Sequence, residues 1–447
     1  MSRLFGTDGV RGKANTELTP ELAYKLGRAA TIYFGKDAKA PTILIGRDTR
    51  ISGEMLESSL VAGICSAGGR AVLAGIVPTP AVAYFSKRLE TKAGIVISAS
   101  HNPFYDNGIK FFGGDGYKLP DAVEDEIESI VHAIGTNDNF IRPTDDDLCH
   151  VDYHHDLLKD YVDFVIKTTN QRFDGMKIIL DCANGAAYEA MPMILKTLGA
   201  ELKVIGNNPN GININDNCGS THIDKLRQAV IENHADIGIA HDGDADRCLC
   251  IDDKGNIIDG DHILIMCATE MINANRLPMN TVVTTVMANI GFKQAIKKIG
   301  GKVEITKVGD RYVLENMLKN GYALGGEQSG HIIFTDYSTT GDGLITALQV
   351  LTAMKRTNQT AAELNELMTT YPQVLLNVKV KNKTACDNDI VKNSIQEAED
   401  ELGDSGRILV RASGTEPLIR VMAEGPNQEQ LETICRRIVS VVETCDS

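Results

Sequence analysis

The sequence predicts an α/β protein, with three related α/β domains in series followed by a smaller α+β domain. Three observations carry this prediction. A strand–loop–helix–glycine–strand unit occurs three times. The C-terminal segment breaks that pattern. The 447 residues exceed what one core usually supports, and at about 100–200 residues per domain they suggest two to four domains.

The first copy of the unit is an apolar strand at Thr42–Ile45, the polar loop Gly46-Arg47-Asp48-Thr49-Arg50, a helix over about Gly53–Ser66, Gly68-Gly69, and a strand from Ala71. The second runs from Lys177–Leu180 through Asp181-Cys182-Ala183-Asn184-Gly185 and a helix ending near Leu198 to Gly199 and a strand at Glu201–Ile205. The third runs from Thr281–Val286 through Met287-Ala288-Asn289-Ile290-Gly291 and a helix ending near Ile299 to Gly300-Gly301 and Lys302–Ile305. Short apolar strands alternating with helices read as βαβ units, and glycine after each helix is C-cap chemistry. Three copies imply three related domains. In the tail, Val374–Val380, Arg407–Val410 and Ile419–Ala423 read as strands. Gln428–Glu443 reads as a helix with Leu431, Cys435, Ile438 and Val442 on one face. The expected domains are residues 1–150, 151–253, 254–370 and 371–447. The acidic stretch Asp145-Asp146-Asp147 marks the first boundary and Tyr371-Pro372 the last.

Composition is that of a soluble globular chain, 43% hydrophobic and 23% charged. A net charge of −15 and the absence of Trp argue against a general nucleic-acid or anionic-membrane binder. A local arginine cluster can still receive an anionic substrate. Ten scattered cysteines without a CxxC pair argue for reduced cytosolic thiols rather than a disulfide framework or zinc site. No signal-like segment opens the sequence and no apolar run is long enough to span a bilayer, so a cytoplasmic location is expected.

Five stretches carry candidate chemistry. In His241-Asp242-Gly243-Asp244-Ala245-Asp246-Arg247, three carboxylates alternate with small residues. Such a loop can converge on one hard divalent cation and leave positions for phosphate or water. An acidic surface turn is the simpler alternative. An EF-hand is disfavoured by the apolar Cys248–Ile251 that follows. Arg411-Ala412-Ser413-Gly414-Thr415-Glu416-Pro417, with Arg420, suits a phosphate clamp of backbone N–H groups and guanidinium, or a plain turn. Gly325-Gly326-Glu327-Gln328-Ser329-Gly330-His331 offers groups that bind sugar hydroxyls, although polar glycine-rich loops are common. Phe5-Gly6-Thr7-Asp8-Gly9-Val10-Arg11-Gly12 reads equally as an anion nest or a tight turn. In Gly94–Phe112, Ser100 follows an apolar strand, where α/β folds place ligands. His101 as its base would give a hydrolase, but the G-x-S-x-G elbow is absent, as is a Walker A loop. The serine, the three Asp, the hydroxyl-binding loop and the clamp fall one per domain. That distribution suits a cleft lined by all four domains and phosphoryl transfer on a sugar phosphate.

Along nearly its whole length the sequence resembles the α-D-phosphohexomutase family. The resemblance rests on Ser98-Ala99-Ser100-His101-Asn102-Pro103, Asp242-Gly243-Asp244-Ala245-Asp246-Arg247, Gly326-Glu327-Gln328-Ser329-Gly330-His331 and Arg411-Ala412-Ser413-Gly414-Thr415-Glu416-Pro417, in the family's order. Ala245 stands where much of the family has Gly. Phe5–Gly12, Asn217–His222, Val308-Gly309-Asp310-Arg311-Tyr312-Val313 and Gln328 are typical of the bacterial branch that acts on glucosamine phosphate. The phosphomannomutase/phosphoglucomutase branch usually has Met at the Gln328 position and a His-containing loop at Gly309-Asp310-Arg311.

The resemblance implies three α/β/α domains with mixed sheets plus a smaller C-terminal α+β domain around a central cleft. It implies Ser100 carried as phosphoserine, with one Mg²⁺ held by Asp242, Asp244, Asp246 and an oxygen of that phosphate. Lys110 would be the general acid/base. Arg11 and Arg247 would contact the phosphoserine region and His101 would orient it. Glu327 and Ser329 would bind sugar hydroxyls, with His331 close by. Arg411, Ser413, Gly414, Thr415 and Arg420 would hold the substrate's non-reacting phosphate. The implied activity interconverts glucosamine 6-phosphate and glucosamine 1-phosphate through a glucosamine 1,6-bisphosphate intermediate, feeding amino-sugar nucleotide and cell-wall precursor synthesis. The implied assembly is a homodimer. A phosphoglucomutase/phosphomannomutase, a non-catalytic phosphosugar binder and a metal-dependent phosphatase are the alternatives.

Overall fold

The computed structural model describes residues 3–6, 8–37, 39–136, 138–140, 142–154, 156–412 and 418–446. The chain divides into two compact units. One comprises Met1–Met287 with Gly301–Leu367, the other Ala288–Gly300 with Met368–Ser447.

The first unit holds three mixed sheets. The six-stranded sheet has the order Val10–Lys13, Asp106–Gly113, Ala93–Ile97, Thr42–Arg47, Arg70–Ile76, Val151–Tyr153. The five-stranded sheet has the order Ile257–Ile258, Cys248–Asp252, Ile237–His241, Lys177–Asp181, Glu201–Ile205. The four-stranded sheet has the order Lys302–Thr306, Thr281–Thr285, Leu324–Gly326, Ile332–Phe334.

The recurring unit is longer than the sequence pattern suggested. In each copy two helices alternate with three parallel strands, and the third strand turns through a polar loop into an antiparallel fourth. The third strands are Ala93–Ile97, Ile237–His241 and Leu324–Gly326, and the fourth are Asp106–Gly113, Cys248–Asp252 and Ile332–Phe334. The strand Asp106–Gly113 was not anticipated, because Asp106-Asn107-Gly108 reads as a turn when taken alone. Its centre is fully buried between two neighbours, which overrides that local preference.

Local chemistry explains the elements. The glycines expected to end the helices take positive φ, +80° at Gly68, +91° at Gly199 and +77° at Gly300. The strands Ala93–Ile97 and Ile237–His241 are buried along their whole length, as central strands covered on both faces must be. Each therefore reads as an apolar run, and the polar residues begin where the strand leaves the sheet.

The second unit has an antiparallel sheet, Gln373–Lys379, Leu418–Glu424, Arg407–Ala412, covered by the helices Asp389–Leu402 and Gln428–Cys445. The buried Glu424 explains why Ala288–Gly300 joins this unit. It pairs with Arg407 and accepts from Asn289 Nδ2 at 2.9 Å and from the Ile290 N–H at 3.2 Å. No helix among the described residues is long and apolar enough to cross a membrane.

Candidate active site

The loops that follow the three last parallel strands carry the candidate chemistry: 98–105, 242–247 and 327–331. This is the carboxyl edge where a sheet changes direction, the usual ligand position in α/β folds.

Ser100 leaves the first sheet with φ +51°, a left-handed conformation that few non-glycine residues adopt. Its Oγ donates to Asp242 Oδ2 at 2.6 Å, and His101 Nδ1 lies 3.5 Å from Ser100 Oγ. Burial, Arg247 and Arg11 together lower the His101 pKa, which keeps the ring neutral near pH 7. Lys110 pairs in register with Val96 on the neighbouring strand. Its ammonium is buried 2.8 Å from Asp244 Oδ2 and 3.0 Å from Asp8 Oδ2. Burial opposes that charge, but Asp244, Asp8 and Asp246 outweigh it and raise the pKa.

The acidic loop is buried and is not a surface turn. Asp242, Asp244 and Asp246 each offer one carboxylate oxygen within 4.8 Å of the other two. Ala245 takes φ +59°, which lets the loop close on itself, and its N–H donates to Asp242 O at 3.1 Å. Burial and the charges of Asp246 and Asp244 push Asp242 well above the usual carboxylate range. Asp246 moves the other way. Burial resists its charge, but His331, Lys110 and Arg247 hold it far below that range.

Asp244 Oδ1 and Asp246 Oδ1 are buried without a hydrogen-bond donor. Hard oxygen donors left without a hydrogen bond around one point fit a divalent cation such as Mg²⁺. Thr79 steadies the loop, its Oγ1 donating to Asp244 Oδ2 at 2.7 Å and its N–H to Asp244 O at 2.9 Å. At the loop's base His241 is buried and lowered to about 4 by desolvation, so the neutral ring can donate from Nδ1 to Arg247 O at 3.0 Å.

The glycine-rich loop of the third domain reaches the same place. His331 lies 3.4 Å from Asp246 through Nδ1 and 3.4 Å from Asp310 through Nε2. Burial works against its charge, yet Asp246 and Asp310 push it up to about 9. Glu327 Oε1 accepts from the Gly309 N–H at 3.1 Å, and Ser329 Oγ is buried without a partner.

Ser100, His101, Lys110, the three Asp, Arg247 and His331 thus form one cluster, with Glu327 and Ser329 on its third loop. Arg11 pairs with Asp8 at its margin. In the second unit, Arg411 and Arg420 are register partners on adjacent strands. Ser413, Gly414 and Thr415 lie outside the described residues.

Several participants were not singled out from the sequence. Lys118 Nζ bridges Asp8 and Asp310, at 2.7 Å from each. Asp48, Arg50, Ser98 and Asn215 surround the Ser100 backbone. Most of the bonds that join them to the serine loop or to one another span fifty residues or more, so local spacing did not expose their roles. Ser98 stood in the serine motif, and the polar loop Gly46–Arg50 and the signature Gly309-Asp310-Arg311 held three of the others.

Family models agree with this architecture. Those described as phosphoglucomutase/phosphomannomutase α/β/α domains I, II and III match residues 2–138, 156–255 and 259–371, and that of the C-terminal domain matches residues 375–441. A protein from Desulforamulus reducens described as phosphoglucosamine mutase is 51% identical over 443 residues, covering 99% of each chain. A phosphoglucomutase/phosphomannomutase family protein from Burkholderia thailandensis has a similar structure, with a TM-score of 0.82 at 24% identity over 100% of this chain and 99% of that one. An Aspergillus fumigatus N-acetylphosphoglucosamine mutase, solved with GlcNAc-6P and magnesium, gives 0.68 at 17% identity over 99% and 96%. At these identities the two structures speak for the fold alone.

Proposed function

This chain belongs to the phosphoglucomutase/phosphomannomutase family, and from that premise we propose that it interconverts glucosamine 6-phosphate and glucosamine 1-phosphate. The observation that carries the reading is the contact of Ser100 Oγ with Asp242, 2.6 Å away inside a triad of buried carboxylates. A binding protein has no need of a phosphorylatable hydroxyl at that point.

On this reading Ser100 is the phosphoryl carrier. As phosphoserine it gives its phosphoryl group to O1 of glucosamine 6-phosphate: the P–Oγ bond breaks as the P–O1 bond forms, and the O1 proton ends, by way of Lys110, on the freed Ser100 Oγ. The resulting 1,6-bisphosphate turns over in the site and returns the 6-phosphoryl group to Ser100. Phosphoryl transfer asks for in-line placement and charge neutralisation more than for a strong nucleophile. Asp242, Asp244 and Asp246 would hold Mg²⁺, which when bound neutralises charge on the moving group. The charged Lys110 gives a proton to the departing oxygen, Ser100 Oγ in the first transfer and O6 in the second, and regains it from the attacking hydroxyl, while Arg247 and Arg11 add positive charge beside Ser100. Glu327 and Ser329 accept and donate to sugar hydroxyls, with His331 behind them. Arg411 and Arg420 hold the phosphate that does not react. A homodimer in the cytoplasm completes the reading.

The test combines intact mass with activity. The purified protein should carry one phosphate's worth of extra mass that Ser100→Ala abolishes together with mutase activity. Full activity in Ser100→Ala sinks the proposal. Comparison of kcat/KM on glucosamine 6-phosphate with that on glucose and mannose phosphates decides the substrate branch. Stoichiometric release of free phosphate would mark a phosphatase instead.

A further inference from the structure

The backbone of Ser100 is held from both sides by one buried ion pair. Its N–H donates to Ser98 Oγ at 2.9 Å, and the Ser98 hydroxyl donates to Asp48 Oδ2 at 2.6 Å. Its carbonyl accepts from Arg50 Nη2 at 2.9 Å. Arg50 Nε closes the circuit on Asp48 Oδ2 at 2.9 Å. The remaining guanidinium donors reach Asn102 O at 2.9 Å and Pro103 O at 2.6 Å, so a single side chain spans three carbonyls of the loop. Both side chains of the pair are wholly inaccessible to solvent. From the second sheet's domain, Asn215 Nδ2 donates to Ser100 O at 2.9 Å and to Asn102 O at 3.1 Å.

We propose that the Asp48–Arg50 pair is a positioning device that fixes Ser100 in its left-handed conformation and thereby aims its Oγ at the acidic triad. The inference rests on the reading of Ser100 as phosphoryl carrier. A serine at φ +51° persists only where its surroundings over-determine it, and three hydrogen bonds to its two backbone groups, backed by the Ser98–Asp48 and Arg50–Asp48 bonds, do so here. Stability alone does not call for such a pair, because a buried ion pair is often replaceable by apolar residues without loss. The guanidinium is needed for its geometry. A lysine ammonium is a point charge and cannot hold the carboxylate and three diverging carbonyls together. Neither residue touches the reacting atoms, so the pair acts through the loop that carries Ser100.

The test uses Arg50→Lys and Ser98→Ala in the full-length protein, with Ser100→Ala as control. A misplacement of about 1 Å at a reacting group costs on the order of 10²-fold. The expected result is therefore a fall of about 10²-fold in kcat per phosphorylated site, with KM for glucosamine 6-phosphate within about threefold of wild type. A purely structural role would instead lower the folded or phosphorylated fraction and leave kcat per phosphorylated site unchanged, and that result overturns the proposal. If Arg50→Lys does not fold, Ser98→Ala decides by the same criterion, since it removes one hydroxyl and leaves the ion pair intact. Activity surviving in Ser100→Ala would defeat the functional reading itself. An inactive Ser100→Ala beside a fully active Arg50→Lys or Ser98→Ala would defeat only the positioning role.

Discussion

The Lys110 ammonium lies 2.8 Å from Asp244 Oδ2, so the proposed acid/base and a proposed metal ligand form one buried pair. Asp244 thus serves two cations, Lys110 through Oδ2 and, on the proposed reading, Mg²⁺ through the unpaired Oδ1. With Asp8 on its other side, Lys110 stays charged at neutral pH and can donate a proton to a departing sugar oxygen. Lys110→Met should lower kcat by about 10²–10⁴-fold, the usual contribution of a general acid or base. Steady-state kinetics check it, and an unchanged kcat removes Lys110 from the chemistry.

The acidic triad stores repulsion. Three carboxylates within 4.8 Å of one another are buried together, and Asp242 resists ionisation because of burial and its two neighbours. Asp242→Asn should therefore be more thermally stable than wild type in chelator, because it removes a buried charge that its two neighbours repel. With added Mg²⁺ the order should reverse. Wild type gains about 2.7 kcal/mol at a hundredfold excess over its dissociation constant, and the variant gains little. Calorimetry with and without the ion measures both. Equal Mg²⁺ responses in the two proteins would count against the triad as a cation site.

Gly243 of the acidic loop packs against the backbone of the serine loop. A Cβ there would meet Ser100 O at 2.5 Å, and the obstacle is backbone that cannot swing away. Gly243→Ala should push the two loops apart and lengthen the Ser100–Asp242 contact. A fall in kcat of about 10²-fold is expected, larger than the loss of stability explains. Kinetics beside a melting curve check this, and a fully active Gly243→Ala means the loops tolerate displacement.

Much of the architecture was legible because it is local and periodic. The strand–loop–helix–glycine units stand where the apolar runs and glycines placed them, and the polar loops begin where buried strands end. Ser100 and the three Asp were legible because each motif is contiguous. The support around them was not. Arg50 and Ser100 are fifty positions apart, Asn215 and Ser100 more than a hundred, and Lys118 and Asp310 nearly two hundred. A lone Asp or Arg in a polar loop looks solvated until the fold encloses it. Asp310 stood in a quoted signature, yet only the structure shows it gripping Lys118 and His331.

Asp342 caps the helix Gly343–Thr357, accepting from the Leu344 and Ile345 N–H groups at 3.0 Å each. The first N–H of that helix donates to Ala245 O at 3.0 Å, so the cap supports the acidic loop directly. Tyr161 donates to the same carboxylate at 2.5 Å. Burial nonetheless raises Asp342 from 3.8 to about 6, with Asp246 adding to the rise against the pull of the three donors. A folded-state pKa above the unfolded one means stability that is fully present below pH about 4 and lost as pH climbs through about 6. Asp342→Asn keeps the capping oxygen and removes the titration. Measured in chelator, the variant should gain on wild type by up to about 3 kcal/mol between pH 4 and 7, roughly two pKa units of linkage. The gain should be complete by pH 7 and flat above it. Melting curves of the two proteins that run parallel across this range would show that the cap carries no such proton.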